Sequence, residues 1–233
     1  MAAMNGDRVD DRGAVAVLFE DADVLAVSKP EGLATIPERS GNTDCLLFIL
    51  QSKTGGKLYV VHRLDKEASG VILFAKNAAA HRGLSGQFAR REVAKTYAAL
   101  AHGAIEEDRG IIDRPIRVYG SGRMGIDAAR GKPSSTAYEV VRRMARFTLL
   151  DVRPTSGRRH QIRVHLYSVG HPIVGDRRYG EREIQSRFAR LMLHASEISF
   201  RLPSGATKTV ASPVAATFTA ALEAVDLEAR RED

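Results

Sequence analysis

Two short stretches of this 233-residue chain hold the residue types that do chemistry, at spacings that could focus it. The first is His62-Arg63-Leu64-Asp65-Lys66-Glu67-Ala68-Ser69-Gly70. It follows the apolar run Leu58-Tyr59-Val60-Val61 and leads into a second, Val71-Ile72-Leu73-Phe74-Ala75, so the pattern reads as strand, tight polar loop, strand. A carboxylate on such a loop, here Asp65, is held rigidly and presented at a surface, where a nucleophile or a base would be useful. Taken alone, Asp65 and Ser69-Gly70 could equally be turn formers. The second stretch is Thr155-Ser156-Gly157-Arg158-Arg159-His160-Gln161-Ile162-Arg163-Val164-His165. It reads as a strand end, a glycine turn and the first turns of a helix, whose free N–H groups favour anions. Arg159 and Arg163 are four apart and share a helix face.

Other patterns lead to less. Gly120-Ser121-Gly122-Arg123-Met124-Gly125 matches Gly-x-Gly-x-x-Gly, but no strong strand precedes it and residues 127–133 are no helix start, so a dinucleotide site is not expected. His160 and His165 are five apart with no Cys or carboxylate completing a zinc-ligand set, so no metal is expected. A glycosidase would need a second acid in a comparably structured loop, and none is apparent.

Composition sets the class. Hydrophobic residues are 44% and charged residues 27%, ordinary for a globular protein with a real core. Cys45 is the only cysteine, which excludes an intramolecular disulfide and suits a reducing cytosol. Met1 to Gly13 is polar and acidic, unlike a signal peptide, and no apolar run reaches membrane-spanning length. The net charge of +7 favours anionic partners, nucleic acid first. Arginines crowd the second half, at 142, 143, 146, 153, 158, 159, 163, 177, 178 and 182. Their planar forks suit phosphate, although such a run can also be a solvated basic face.

The elements that must position these residues follow from patterning. Val15 to Phe19 and Val24 to Val27 flank Glu20-Asp21-Ala22-Asp23 as a hairpin, followed by a Lys29-Pro30-Glu31-Gly32 turn. Asn42 to Ser52 has helical spacing, with Asn42 or Thr43 as cap. Asn77 to Arg90 is a helix with Ala80, Leu84 and Phe88 on one face, and Lys95 to Ala101 is a strand. Residues 103–133 are polar, glycine-rich and irregular. Ser135 to Val141 and Phe147 to Val152 form a hairpin across residues 142–146, and Arg159 to Val169 is a helix stopped by Gly170. Ile198 to Leu202 is a strand, and Ser212-Pro213 opens a last helix through roughly Arg230. Strands arranged in hairpins predict an α+β fold with a largely antiparallel sheet.

The nonapeptide around Asp65 resembles the catalytic-loop signature of the RluA-type pseudouridine synthase family, usually His-Arg-Leu-Asp-x-x-Thr-Ser-Gly, with Ala68 where that pattern prefers Thr. The second stretch resembles Thr-Gly-Arg-x-His-Gln-Ile-Arg-x-His, with Ser156 as a departure. Four further pieces occur in family order: Val17 to Asp21 with Val27 to Leu33, Lys95 to Leu100, Gly170 to Asp176 with Tyr179-Gly180, and Leu191 to Ala195. Together the six run from about Val17 to Pro213.

The resemblance implies an α+β pseudouridine synthase fold: a bent, mostly antiparallel mixed sheet flanked by helices. It implies one catalytic domain over 17–230 after a polar tail at 1–16, too short for the S4-type domain that many relatives carry. The implied reaction is isomerisation of specific uridines to pseudouridine in structured RNA, ribosomal or transfer, with no cofactor, no metal and no nucleotide. Asp65 would be nucleophile or base, Arg163 its ionic partner, Tyr97 the ring stacked on the uracil and Leu193 the pocket floor. Arg63 would fill the space of the extruded base or contact phosphates. Arg158, Arg159 and the 142–146 cluster would hold the RNA backbone, and His62, His160 and Gln161 complete the expected RNA-binding set. A cytoplasmic monomer with no membrane association is expected. The rival is a non-catalytic RNA-binding or ribosome-assembly protein on the same fold. It would keep the basic groove and lose the acid, so the presence of Asp65, Tyr97 and Arg163 together favours the enzyme.

Overall fold

The computed structural model describes residues 15–38 and 43–229. The expected first hairpin forms as β1 (Ala16–Glu20) and β2 (Val24–Lys29), its turn fixed by Asp21 Oδ1, which accepts the N–H groups of Asp23 and Val24. Helix α1 (Leu46–Thr54) starts later than its apolar spacing suggested. Cys45 occupies the cap position and no side chain caps the helix; Thr43 lies outside it, and Asn42 lies outside the described residues. β3 (Tyr59–Val60) and β4 (Ser69–Ala75) pair antiparallel and enclose the acidic loop as expected. Helix α2 (Ala78–Ala89) is capped by Asn77, whose side chain accepts the Ala80 N–H at 2.9 Å, and β5 (Ala94–His102) follows.

Residues 103–133 correct an expectation. They are not irregular but hold β6 (Arg109–Asp113), an edge strand of the main sheet, and the separate ribbon of β7 (Ile116–Val118) and β8 (Met124–Ile126). Strands of three to five residues are too short for alternation to declare itself among glycines. β9 (Ser135–Met144) and β10 (Phe147–Pro154) make the expected hairpin but run longer, leaving Ala145-Arg146 as the turn. Next come α3 (Gln161–Ser168), the short α4 (Arg182–Gln185), β11 (Leu193–Arg201), β12 (Thr207–Ala211) and α5 (Ala216–Ala229). α4 and β12 were not apparent in the sequence, β11 begins five residues before the expected Ile198, and Arg230 lies outside the described residues. No described helix is long and apolar enough to cross a membrane.

The fold is α+β, as expected. Ten strands form one mixed sheet with the path β1-β2-β4-β11-β5-β10-β9-β6, with β12 on β11 and β3 on β4. Every pair is antiparallel except β4 with β11, which run parallel with His194 opposite Ser69 and Ala195 opposite Gly70. That pair positions the site, because it sets Leu193 beside the end of the acidic loop. All seven residues of β4 are buried, as a central strand covered on both faces requires. One apolar cluster gathers β2 and β4 with α1 and α2, and a second gathers β5 and β10 with α3 and Phe218 of α5. Tyr97 of β5 packs against both.

Gly70 makes the close pairing possible. Its φ is +111°, and a Cβ there would fall against the backbone of Ala195. Gly70→Ala should therefore lower stability by about 3 kcal/mol or more, through backbone strain and overlap with an unyielding strand. Urea unfolding measures this, and a midpoint within error of the parent would show that the two strands can part without cost.

Candidate active site

The loop bearing Asp65 is fixed from below by the turn after β2. Thr35 Oγ1 donates to the Leu64 carbonyl at 3.0 Å and accepts the Leu64 N–H at 3.3 Å. Gly32 N–H donates to the Lys66 carbonyl at 2.8 Å, and the Ala68 N–H closes a turn on the Asp65 carbonyl at 3.2 Å. Lys29 is buried and its ammonium donates to the carbonyls of Pro30 and Leu33 at 2.8 Å each and of Lys66 at 3.2 Å. Burial pushes the Lys29 amine down to about 7, while Asp65, Glu67 and Glu31 favour its charged form. The backbone on both sides of Asp65 is thus bonded to one seven-residue segment, 29–35.

From above, α3 delivers Arg163. Its guanidinium is almost fully buried, and its edges are divided between acids. Nε and Nη2 grip Asp176 at 2.7 and 2.8 Å, and Nη1 donates to Asp65 Oδ2 at 3.0 Å and to Glu67 at 3.4 Å. Hydrogen bonds and charge from Asp176 and Asp65 outweigh desolvation and hold Arg163 above its ordinary range. The ring of Tyr179 lies 5.3 Å from that guanidinium. The Tyr179 hydroxyl is 2.7 Å from His160 Nδ1, and His160 Nε2 is 3.8 Å from Asp65 Oδ1. Burial pushes His160 down to about 4, against the opposing pull of Asp65.

These groups open on a cleft lined by Asp65, Arg63, Tyr97, Lys95, Arg158 and His160, with Ala68, Ile162 and Leu193 among its apolar lining. Its volume of about 90 Å³ is well below the roughly 300–1,000 Å³ that enclose a whole small molecule, so it has room for one small group whose remainder stays outside. Burial, and secondarily the charge of Asp65, pushes the Tyr97 phenol well above its usual range, so the ring stays neutral. Arg158 Nε is, among the described residues, the one buried side-chain polar atom with no hydrogen-bond partner. A donor left unmatched beside a cleft is suited to an incoming acceptor.

The sequence-predicted set divides. Asp65, Arg163, Tyr97, Arg63, Leu193, Arg158, His160 and Gln161 all border the cleft. Gln161, however, is spent on structure. Its Oε1 accepts from Ser156 Oγ at 2.6 Å and the Arg158 N–H at 3.1 Å, and its amide donates to the Ser135 carbonyl and Thr136 Oγ1. His62 turns inward: its Nε2 accepts the Leu73 N–H at 3.0 Å and its ring stacks on Phe88. Arg159 is exposed and does not line the cleft. The 142–146 cluster sits at the far end of the β9–β10 hairpin from Pro154, roughly 20 Å along the strand, with Arg143 bonded to Asp108 and to the Ile105 and Glu106 carbonyls. Four residues of the site carried no role in the sequence reading: Lys29, Lys95, Asp176 and Tyr179. All four lie inside quoted family-like segments, which was the one available signal.

A family model described as RNA pseudouridylate synthase matches residues 23–168. The dual-specificity RNA pseudouridine synthase RluA of Vibrio vulnificus (strain CMCP6) is 39% identical over 194 residues, covering 80% of this chain and 78% of that one. An uncharacterized RNA pseudouridine synthase of Aquifex aeolicus (strain VF5) is 41% identical over 177 residues, covering 71% of this chain and 56% of that one. Among solved structures, human RNA Pseudouridylate Synthase Domain Containing 1 superposes with a TM-score of 0.78 at 27% identity, covering 98% of each chain.

Inward-turned His62 yields a pH prediction. Burial, with a smaller push from Lys95, lowers it from 6.5 to about 3, so between those values the unfolded chain binds the proton and the fold does not. Its share of stability is complete above about 6.5 and is lost as pH falls toward 3. Urea midpoints should decline across that window, and His62→Gln, which keeps an acceptor for Leu73, should flatten the decline. An unchanged slope would clear His62 of the effect.

Proposed function

The chain belongs to the RNA pseudouridine synthase family, and we propose that its Asp65 carboxylate drives isomerisation of uridine to pseudouridine on a base extruded into the cleft. The observation that carries this reading is the 3.0 Å pair of Arg163 with Asp65 Oδ2, set beside Tyr97 and Leu193 in a small opening. The buried cation fixes one carboxylate oxygen, and the other, Oδ1, is left for the substrate, as a nucleophile or base requires. In the reaction the C1′–N1 bond breaks, the uracil turns, C5 bonds to C1′, and the C5 proton is replaced by one on N1. Substrate and product are isomers, so the balance closes without oxidant, reductant or group donor.

The surroundings fit a base taken out of its stack. Tyr97 offers an aromatic face and Leu193 an apolar floor. Arg63 projects at the mouth, suited to the gap that the extruded base leaves or to its flanking phosphates. Arg158 with its unmatched Nε, and exposed Arg159 beside it, suit the RNA backbone. The substrate is proposed to be structured RNA, ribosomal or transfer. The cleft gathers the loop before β4, β5, β10, α3 and β11 around one site, which supports a single catalytic domain; a monomer is the proposed state. The RNA substrate and the single buried cysteine suit the cytoplasm.

Asp65→Asn should fold and bind RNA but form pseudouridine at least about 1,000-fold more slowly, because it removes the reacting group itself. Turnover within tenfold of wild type would sink the assignment. Arg163→Lys should also lose most activity, since one ammonium cannot bridge Asp176 and Asp65 in the guanidinium's geometry. RNA affinity should fall steeply with salt, and Arg158→Ala should weaken binding to unrelated RNAs alike. A flat salt dependence, or an effect confined to one sequence, would make these arginines something other than phosphate contacts.

A further inference from the structure

Three observations converge on His160. It is one of two described non-glycine residues with positive φ, at +54°, and this left-handed turn at the start of α3 aims its ring into the cleft. Such a conformation is uncommon, and where the surroundings hold it in place it often marks a functional position. Its Nε2 lies 3.8 Å from Asp65 Oδ1, the carboxylate oxygen that Arg163 leaves free. That gap is too long for a hydrogen bond, but an atom about 3 Å from both could sit at its edge, where a reacting group belongs.

The hydrogen-bond chain behind the ring fixes which nitrogen carries the proton. The Tyr179 hydroxyl oxygen accepts the Met124 N–H of β8 at 3.3 Å. Arg163 and Arg123 lie 5.3 and 5.2 Å from its ring, Arg178 is beside its oxygen, and among the described residues only His160 Nδ1 is seen in position to accept from that hydroxyl. Donors and cations cannot take the phenol's own proton. His160 Nδ1, at 2.7 Å, can. His160 Nδ1 is then an acceptor, and the ring's single proton is on Nε2, facing the cleft. Burial keeps the imidazole neutral at physiological pH.

We propose that His160 donates its Nε2–H to a carbonyl oxygen of the extruded uracil, and that Tyr179, seated by the β7–β8 ribbon, holds it in the donating tautomer. When the C1′–N1 bond breaks, its electron pair passes to the uracil and spreads onto the carbonyl oxygens until C5 bonds to C1′. A fixed neutral donor beside that oxygen stabilises the displaced base without protonating it. The proposal rests on the pseudouridine synthase reading and adds a catalytic residue and a positioning residue to it.

The test begins without RNA. Long-range proton–nitrogen correlation spectra at neutral pH should show His160 as the Nε2–H tautomer in the wild-type protein and a mixed population in Tyr179→Phe. An Nδ1–H tautomer in the wild type overturns the proposal whatever the activity. Single-turnover rates and dissociation constants follow, on unmodified tRNA and rRNA transcripts. His160→Leu should slow isomerisation about 100-fold with RNA affinity within about threefold. His160→Gln, whose amide N–H can reach the same point, should recover at least tenfold of that loss, and Tyr179→Phe should fall between. A rate for His160→Leu within threefold of wild type, or no recovery in His160→Gln, overturns it. Target uridines with sulfur in place of either carbonyl oxygen complete the cycle. One of the two should slow the wild type but not slow His160→Leu further. Coupling to neither sulfur means that His160 acts through Asp65 alone, and the donor role fails. Absence of pseudouridine with wild-type protein would instead fault the underlying family reading, which the spectra do not depend on.

Discussion

The buried Arg163 guanidinium is the constraint around which this site is arranged. A cation taken out of water is costly, and only well-placed counter-charges with matched hydrogen bonds offset that cost. Arg163 meets both conditions by dividing its edges, one fork on fully buried Asp176 and the remaining nitrogen on Asp65. Asp176 must therefore be placed as strictly as the arginine. Gly175, at φ +77°, lets the chain pass against the Arg190 carbonyl with no room for a side chain, and its N–H donates to Gln185 Oε1 of α4 at 2.6 Å. The one-turn helix α4 has a structural purpose in this light: it holds the turn that holds the acid that holds the arginine.

The same alternation continues beneath the loop. Buried Lys29 feels Asp65, Glu67 and Glu31. Glu31 pairs with buried Arg190 at 2.9 Å, and Arg190 also donates to Ser69 Oγ at 2.6 Å, where β4 begins. From Asp176 through Arg163, Asp65, Lys29 and Glu31 to Arg190, each buried or half-buried charge has opposite charges as neighbours. Ser69 in turn contacts His194 Nδ1 at 2.9 Å, which ties the line to β11 and so to Leu193. The low local dielectric that makes each member costly alone makes the ordered set stiff, so the Asp65 carboxylate is held on several sides by groups that are themselves held.

The sequence disclosed elements and residue types more fully than directions. The buried run of β4, the Asn77-capped α2 and the β9–β10 hairpin were legible because each carries its own periodicity or cap. The β7–β8 ribbon was not, because three-residue strands carry no period, and its role depends on a contact with Tyr179 more than fifty residues away. Asp65 and Arg163 were legible as a pair through family resemblance, whereas Asp176, equally bound to Arg163, lay inside a family-like segment with nothing to mark it as the arginine's partner. His62 and Gln161 show the converse. A polar side chain inside a signature need not face the substrate; these two turn inward because β4 and the 155–161 turn leave backbone groups that need partners.

That distinction also bears on Ala68, the residue that departs from the usual loop pattern. Its side chain is buried in the second apolar cluster, with Leu193 and Ile162, where a hydroxyl would need a partner of its own. The loop's supports run instead through backbone: Ala68 N–H to the Asp65 carbonyl, Gly32 N–H to the Lys66 carbonyl, and Thr35 to both polar groups of Leu64. None of them involves the side chain at 68. The supports that hold the Asp65 loop therefore do not run through the side chain at 68, and the Ala68 methyl group is part of the apolar lining of the cleft.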